Sequence, residues 1–306
     1  MLTVLCGGVG AARLLAGLVD VVDPGSITAV VNVADDTVLH GLHVSPDLDT
    51  VTYTLAGVHN DATGWGVADE SWRVMDELEA LGGPTWFRLG DRDLATHLYR
   101  TGRLAAGAPL SAVTAELAAA RGVAVTVVPV SDDPVRTVVV AATGEHLAFQ
   151  EYFVARRCDV EVAALHFDGA DVARPAPGVI EAIDDAARVI VAPSNPLVSI
   201  DPILAVRGVR EAVARRRDAV AAVSPIVAGA ALKGPAARLL TDLGHDPSAL
   251  GVARHYQGLA GTIVIDAQDA PLRDAVEALG MRCVVTDTVM ADRDRAARLA
   301  KVVADG

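Results

Sequence analysis

"LTVLCGGVGAARLL", residues 2–15, decides the fold: five apolar or β-branched residues run straight into three closely spaced glycines and then into a helical pattern. A strand that turns this sharply into a helix is the opening unit of a sheet whose parallel strands are covered by helices. Gly7, Gly8 and Gly10 allow the tight bend and let backbone amides approach an anion at the positive end of the helix. As a dinucleotide fingerprint the stretch is imperfect. Taking Gly8 and Gly10 as the first two glycines puts Arg13 where a small residue should pack, and the next strand ends in Asn32 rather than in a carboxylate that would hold a ribose. Arg13 then either faces a ligand phosphate or bridges to a surface acid.

Outward from this unit, "ITAVVNV" (27–33) reads as the second strand. "RVIVAP", "AVAAVSP", "GTIVID" and "MRCVVTD" repeat the strand–helix alternation between residues 188 and 287. The middle differs: two helices stopped by glycine, then β-rich runs around a "TGE" turn, resembling an antiparallel ribbon. The expected architecture is α/β, a Rossmann-like, mostly parallel sheet with helices on both faces. Residues 1–60 and 176–306 would form its nucleotide-binding core, and 61–175 an inserted helical and β-rich portion completing an acceptor pocket.

Of 306 residues, 52% are hydrophobic, ample for a large core, and 26 basic against 39 acidic residues leave a net charge of −13. That balance argues against a nucleic-acid or anionic-membrane partner and in favour of small molecules. Three widely spaced cysteines without a CxxC point to no disulfide framework or zinc site and fit a reducing cytoplasm. No signal peptide or membrane span is read.

The stretch "VNVADDTVLHGLHVSPDLDTV" (31–51) places Asp35, Asp36, Asp47 and Asp49 close together beside the expected phosphate site. Asp49 suits a helix N-cap, but four acids call for a positive charge, most economically a magnesium ion bridging carboxylates to a diphosphate. His40 and His43 lie between the acids and are not needed by an oxygen-rich site. "TWFRLGDRDLATHLYRTG" (85–102) reads as a strand-like "WFRL" entering a helix. There Arg88, Asp91, Arg92 and Asp93 look like a surface ion-pair network, with Asp93 as an N-cap, while Trp86 and Phe87 offer flat walls for a planar ligand. Two later strand-end loops add Ser194, Asn195 and Ser199, then Gly229 and Lys233, as phosphate or guanine contacts. Lys233 is one of only two lysines beside 24 arginines.

Together "CGGVGAARLL", "NVADD…HGLHVSPDLDTVTYTLAG", "WFRLGDRDLATHLYRTG", "PSNPLVSIDPIL" and "SPIVAGAALKGP" resemble the 2-phospho-L-lactate transferase (CofD) family of coenzyme F-420 biosynthesis, in unbroken order from residue 1 to about 300. The resemblance implies transfer of a lactyl- or enolpyruvyl-phosphate group from its guanosine-diphosphate-activated form to the ribityl hydroxyl of the deazaflavin FO, with release of GMP. It implies Mg2+ as cofactor and a homodimer. It places the deazaflavin contacts on Asp49, also the catalytic candidate, and Arg88. Asp36 and Asp49 become the leading metal candidates, with Asp35 and Asp47 in support. Removing the Asp49 carboxylate is expected to abolish transfer and spare the fold. The alternatives are a nucleotide-sugar-binding regulator of the gluconeogenesis-factor family, which binding of FO against UDP-N-acetylglucosamine would separate, and an NAD(P) oxidoreductase.

Overall fold

The computed structural model describes residues 1–61, 64–231 and 234–305. Strand β1 (Leu2–Cys6) is buried throughout and pairs in parallel with β2 (Ile27–Val31), from Leu2 opposite Ile27 to Cys6 opposite Val31. Among the described residues, seven parallel strands form one sheet. Their spatial order is Arg282–Thr286, Thr262–Asp266, Val220–Val223, Arg188–Val191, β1, β2, Thr126–Pro129. Short continuous apolar runs such as Val189–Val191 and Val220–Val223 suit strands covered on both faces. The chain builds outward from β1 through β2 to Thr126–Pro129, then returns to Arg188–Val191 on the other side of β1. That reversal makes a switch point beyond the carboxyl ends of the strands, where open α/β sheets form their crevice.

The strand Thr126–Pro129 lies within the segment 61–175 yet completes one edge of the sheet. The antiparallel ribbon is present as a separate three-stranded sheet, with Arg136–Ala141 between His146–Ala148 and Val162–Asp168. Residues 85–90 are not a strand; bends lead from Pro84 to Gly90. No helix among the described residues is long and apolar enough to cross a membrane.

Helix α1 (Gly8–Leu18) follows the glycine turn, and Gly8 has φ +72°, a conformation that favours glycine. The helix packs on the terminal helix Arg293–Asp305 through Gly17, where a Cβ would collide with the Ala296 carbonyl. Alanine is the better helix former by about 1 kcal/mol, but overpacking costs roughly 1–3 kcal/mol. Gly17→Ala is therefore expected to lower the stability, read as a reduced urea midpoint at unchanged slope.

Helix α2 (Pro46–Leu55) starts with proline at its first position and has Asp47 and Asp49 in its first turn, where the helix dipole favours acids. Its N-cap is Ser45, so Asp49 is not the cap. Helix α3 spans Arg73–Ala80 and α4 Asp91–Ala105, with Gly90 as the α4 N-cap in place of Asp93. Glu70 closes the α4 N-terminus instead, accepting from the backbone N–H of Arg92 (2.6 Å) and of Asp93 (2.8 Å).

Candidate functional site

A cleft of about 960 Å³ runs along the carboxyl edge of the sheet. One end is built by the glycine turn and the loops after Val191 and Thr286, the other by α2, α4 and the segment 86–88. Ser194 ties the first end together: its Oγ accepts from the Gly7 N–H (3.2 Å) and donates to the Gly7 carbonyl (2.8 Å).

The four clustered aspartates do not converge on one point. Residues two apart on a helix are rotated by roughly 200°, so Asp47 and Asp49 leave α2 on opposite sides. Asp47 turns to the glycine turn. A side chain on Gly7 would strike its carboxylate, which accepts hydrogen bonds from the Gly8 backbone and from Asn32 Nδ2 (3.0 Å). Asp35 lines the cleft on the same side, and its Oδ1 is buried without a hydrogen-bond partner. Burial first, and then the neighbouring Asp47 charge, push the Asp35 carboxyl well above the usual carboxylate range. Burial pushes Asp47 up to about 6 against the partial relief from Asn32 and Gly8. Among the described residues neither makes an ion pair with an arginine. Two buried, facing carboxylates without a cation are a poor arrangement alone and a good one around a hard divalent ion.

Asp49 turns to α4, where Asp93, His97 and Arg100 occupy one face at intervals of four and three residues. Arg100, only 2% exposed, forks onto Asp49, donating from Nη1 to Oδ2 at 3.1 Å and from Nη2 to Oδ1. Burial opposes the guanidinium charge, but Asp49 outweighs it and the Arg100 pKa is raised. His97 Nδ1 lies 3.3 Å from Arg100 Nη1, and its Nε2 lies 3.3 Å from Asp93 Oδ1. An arginine only donates, so Nδ1 accepts there and the ring proton sits on Nε2, facing Asp93. The Tyr53 hydroxyl donates to the same Asp93 oxygen at 2.6 Å. Burial works to raise the Asp93 carboxyl, but His97 and Tyr53 prevail and hold it below its ordinary range. Asp49, Asp93 and His97 place ligand atoms within 4.8 Å of one another. The fixed guanidinium already supplies their positive charge, so this end is an ion-pair network and the Asp35–Asp47 end is the one that fits a cation.

Of the residues singled out in the sequence, Gly7, Gly8, Gly10, Ser194, Asn195, Ser199, Asp49 and Arg88 all line the cleft. Three of the other residues singled out stand elsewhere. Asn32 is fully buried and orients Asp47 and the Ala34 N–H (2.9 Å) instead of lining the cleft. Asp36 also lies off the cleft. It accepts from Ser45 Oγ at 2.7 Å, and burial, tempered by that bond and by Arg100 and Arg136, raises it to about 7. Gly229 is outside the cleft wall, although Gly234 is part of it, and Lys233 lies outside the described residues. Arg88 meets Asp76 at 2.9 Å and lies over the Trp72 ring, with its centroid 5.2 Å away. Trp86 and Phe87 pack edge to face beside it. The stacked pair Phe149 and Phe153 adds a second aromatic wall, from the antiparallel portion, that sequence reasoning missed. His97 and Arg100 were missed as well. Their signal was present in the spacing Asp93, His97, Arg100, a single helical face of polar residues.

The family model described as 2-phospho-L-lactate transferase CofD matches residues 2–304. Similar curated proteins include the phosphoenolpyruvate transferase of Streptomyces griseus subsp. griseus, 48% identical with 98% of this chain and 96% of that protein covered. The protein of the same name from Thermobifida fusca is 44% identical, with 99% and 97% covered. Among solved structures, a UPF0052 family member from Bacillus halodurans superposes with a TM-score of 0.65 at 16% identity, covering 99% of this chain and 98% of that one, a likeness of fold.

Proposed function

This chain belongs to the 2-phospho-L-lactate transferase CofD family and is a transferase, and from that premise we propose the reaction that its cleft carries out. The donor is an enolpyruvyl- or lactyl-phosphate activated by guanosine diphosphate, and the acceptor is the ribityl hydroxyl of the deazaflavin FO. The acceptor hydroxyl releases its proton to solvent as its oxygen bonds to the phosphorus bearing the three-carbon acid, the bond from that phosphorus to the bridging diphosphate oxygen breaks, and GMP leaves. The product is a coenzyme F-420 precursor without a glutamate tail. Relatives named phosphoenolpyruvate transferase at 44–48% identity favour the enolpyruvyl donor.

One observation carries this reading: a single cleft has a pair of uncompensated carboxylates beside a glycine turn at one end, and a fixed carboxylate with aromatic walls at the other. The donor's diphosphate lies along Gly7–Gly10, Ser194 and Asn195. Asp35 and Asp47 would hold Mg2+ there, which would supply Lewis-acid polarisation of the phosphoryl group. The planar deazaflavin lies against Trp86, Phe87 and Arg88. Asp49 accepts a hydrogen bond from the ribityl hydroxyl, and Arg100 allows its carboxylate one orientation, so positioning supplies much of the rate. The test is mass spectrometry of the product formed from FO with each guanylated donor, with and without Mg2+. Metal-dependent appearance of the FO–phosphate adduct with GMP supports the reading. Absence of adduct with both donors refutes it.

A further inference from the structure

Of the carboxylates lining the cleft, Asp49 has Arg100, Asp93 lies beside His97, and Asp35 and Asp47 have no cationic partner among the described residues. Of the arginines lining it, Arg88 has Asp76, and among the described residues Arg13 is left without a carboxylate. Arg13 lines the cleft beside Gly7, Gly8 and Gly10, is half-buried, and its Nη1 donates to the Met290 carbonyl at 3.3 Å. Among the described residues no carboxylate lies within ion-pair distance of it. It therefore does not bridge to a surface acid. A helical side chain leans toward the preceding turn, so that from the second turn of α1 it covers the glycine turn. The charge count agrees. A divalent ion would balance Asp35 and Asp47 and leave the two negative charges of a bound diphosphate without a partner of their own.

We infer that Arg13 is the cationic contact for the diphosphate of the nucleotide donor and distinguishes a nucleoside diphosphate from an uncharged nucleoside. This rests on the placement of the donor at the glycine turn. A guanidinium supplies two parallel donors to phosphate oxygens, a geometry that lysine does not reproduce.

Titration calorimetry with GDP and Mg2+ tests it, using Arg13→Gln, Arg13→Met and Arg13→Lys whose thermal unfolding matches the wild type. Glutamine still donates to the Met290 carbonyl, so a residue that merely straps α1 to that loop tolerates it. The expected result is GDP affinity weakened about ten- to hundredfold in both the Gln and Met variants and less in Lys. The KM for FO is expected to change by less than about twofold, while guanosine binds wild type and variants alike. Wild-type GDP affinity in Arg13→Gln would overturn the inference alone. A wild-type protein that does not bind GDP would overturn the donor placement and the inference with it.

Discussion

Asp49→Ala is expected to lose about 10²–10³-fold in transfer rate and at the same time to destabilise the protein by about 3–5 kcal/mol. The second effect corrects the expectation that the fold is spared. Both Asp49 oxygens face the Arg100 guanidinium in a buried setting, and removing one partner leaves the other charge desolvated and unpaired. The two effects separate in a double variant. Asp49→Leu with Arg100→Met removes both charges and fills the space with apolar atoms, a replacement that is often neutral or stabilising. Urea unfolding of the double variant is expected to recover most of the stability while transfer stays lost. Recovery of transfer along with stability would mean that Asp49 serves only the fold.

The second large effect is opposite in sign. Burial raises Asp47 to about 6, so the folded chain favours its protonated form. That contribution to stability is complete below the ordinary carboxylate pKa near 4 and is lost as pH rises to about 6. Above pH 7 the metal-free protein thus carries a penalty on the order of 3 kcal/mol at this one residue. Asp47→Asn is expected to be more stable than wild type without metal at pH 8, to lose this slope between about pH 4 and 6, and to lose transfer. Mg2+ at 100 times its Kd is expected to stabilise the wild type by about 2.7 kcal/mol and the variant far less. Thermal unfolding across pH, with and without Mg2+, reads all of this. A variant less stable than wild type at pH 8 without metal would contradict it.

The sheet was legible because its strands are buried on both faces and therefore read as short apolar runs, each closed by a turn signal. "LTVLC" and "GTIVID" needed no tertiary information. The edge strand Thr126–Pro129 did, since nothing local says that it pairs with β2 rather than with the ribbon that follows it. At the site, the glycine turn and the 194–199 loop were readable from their place at strand ends, whereas Asp49 and Arg88 were singled out as ligand contacts by the family resemblance. The grouping of the aspartates was not. Adjacency in sequence suggests a shared ion, whereas α2 begins at Pro46 rather than after Asp49, and so turns Asp47 and Asp49 to opposite ends of the cleft. Asp93 read as part of a surface ion-pair network, and His97 and Arg100 were passed over, because a buried arginine is recognisable only once its partner, 51 residues away in sequence, is seen beside it.

The most direct test of the two-ended cleft is anomalous diffraction from crystals grown with Mn2+, a hard ion with oxygen preferences like those of Mg2+, together with GDP. The expected peak lies between Asp35 and Asp47, with the diphosphate beside Gly7–Gly10. A peak on Asp49, Asp93 and His97, with Arg100 displaced, would contradict the account.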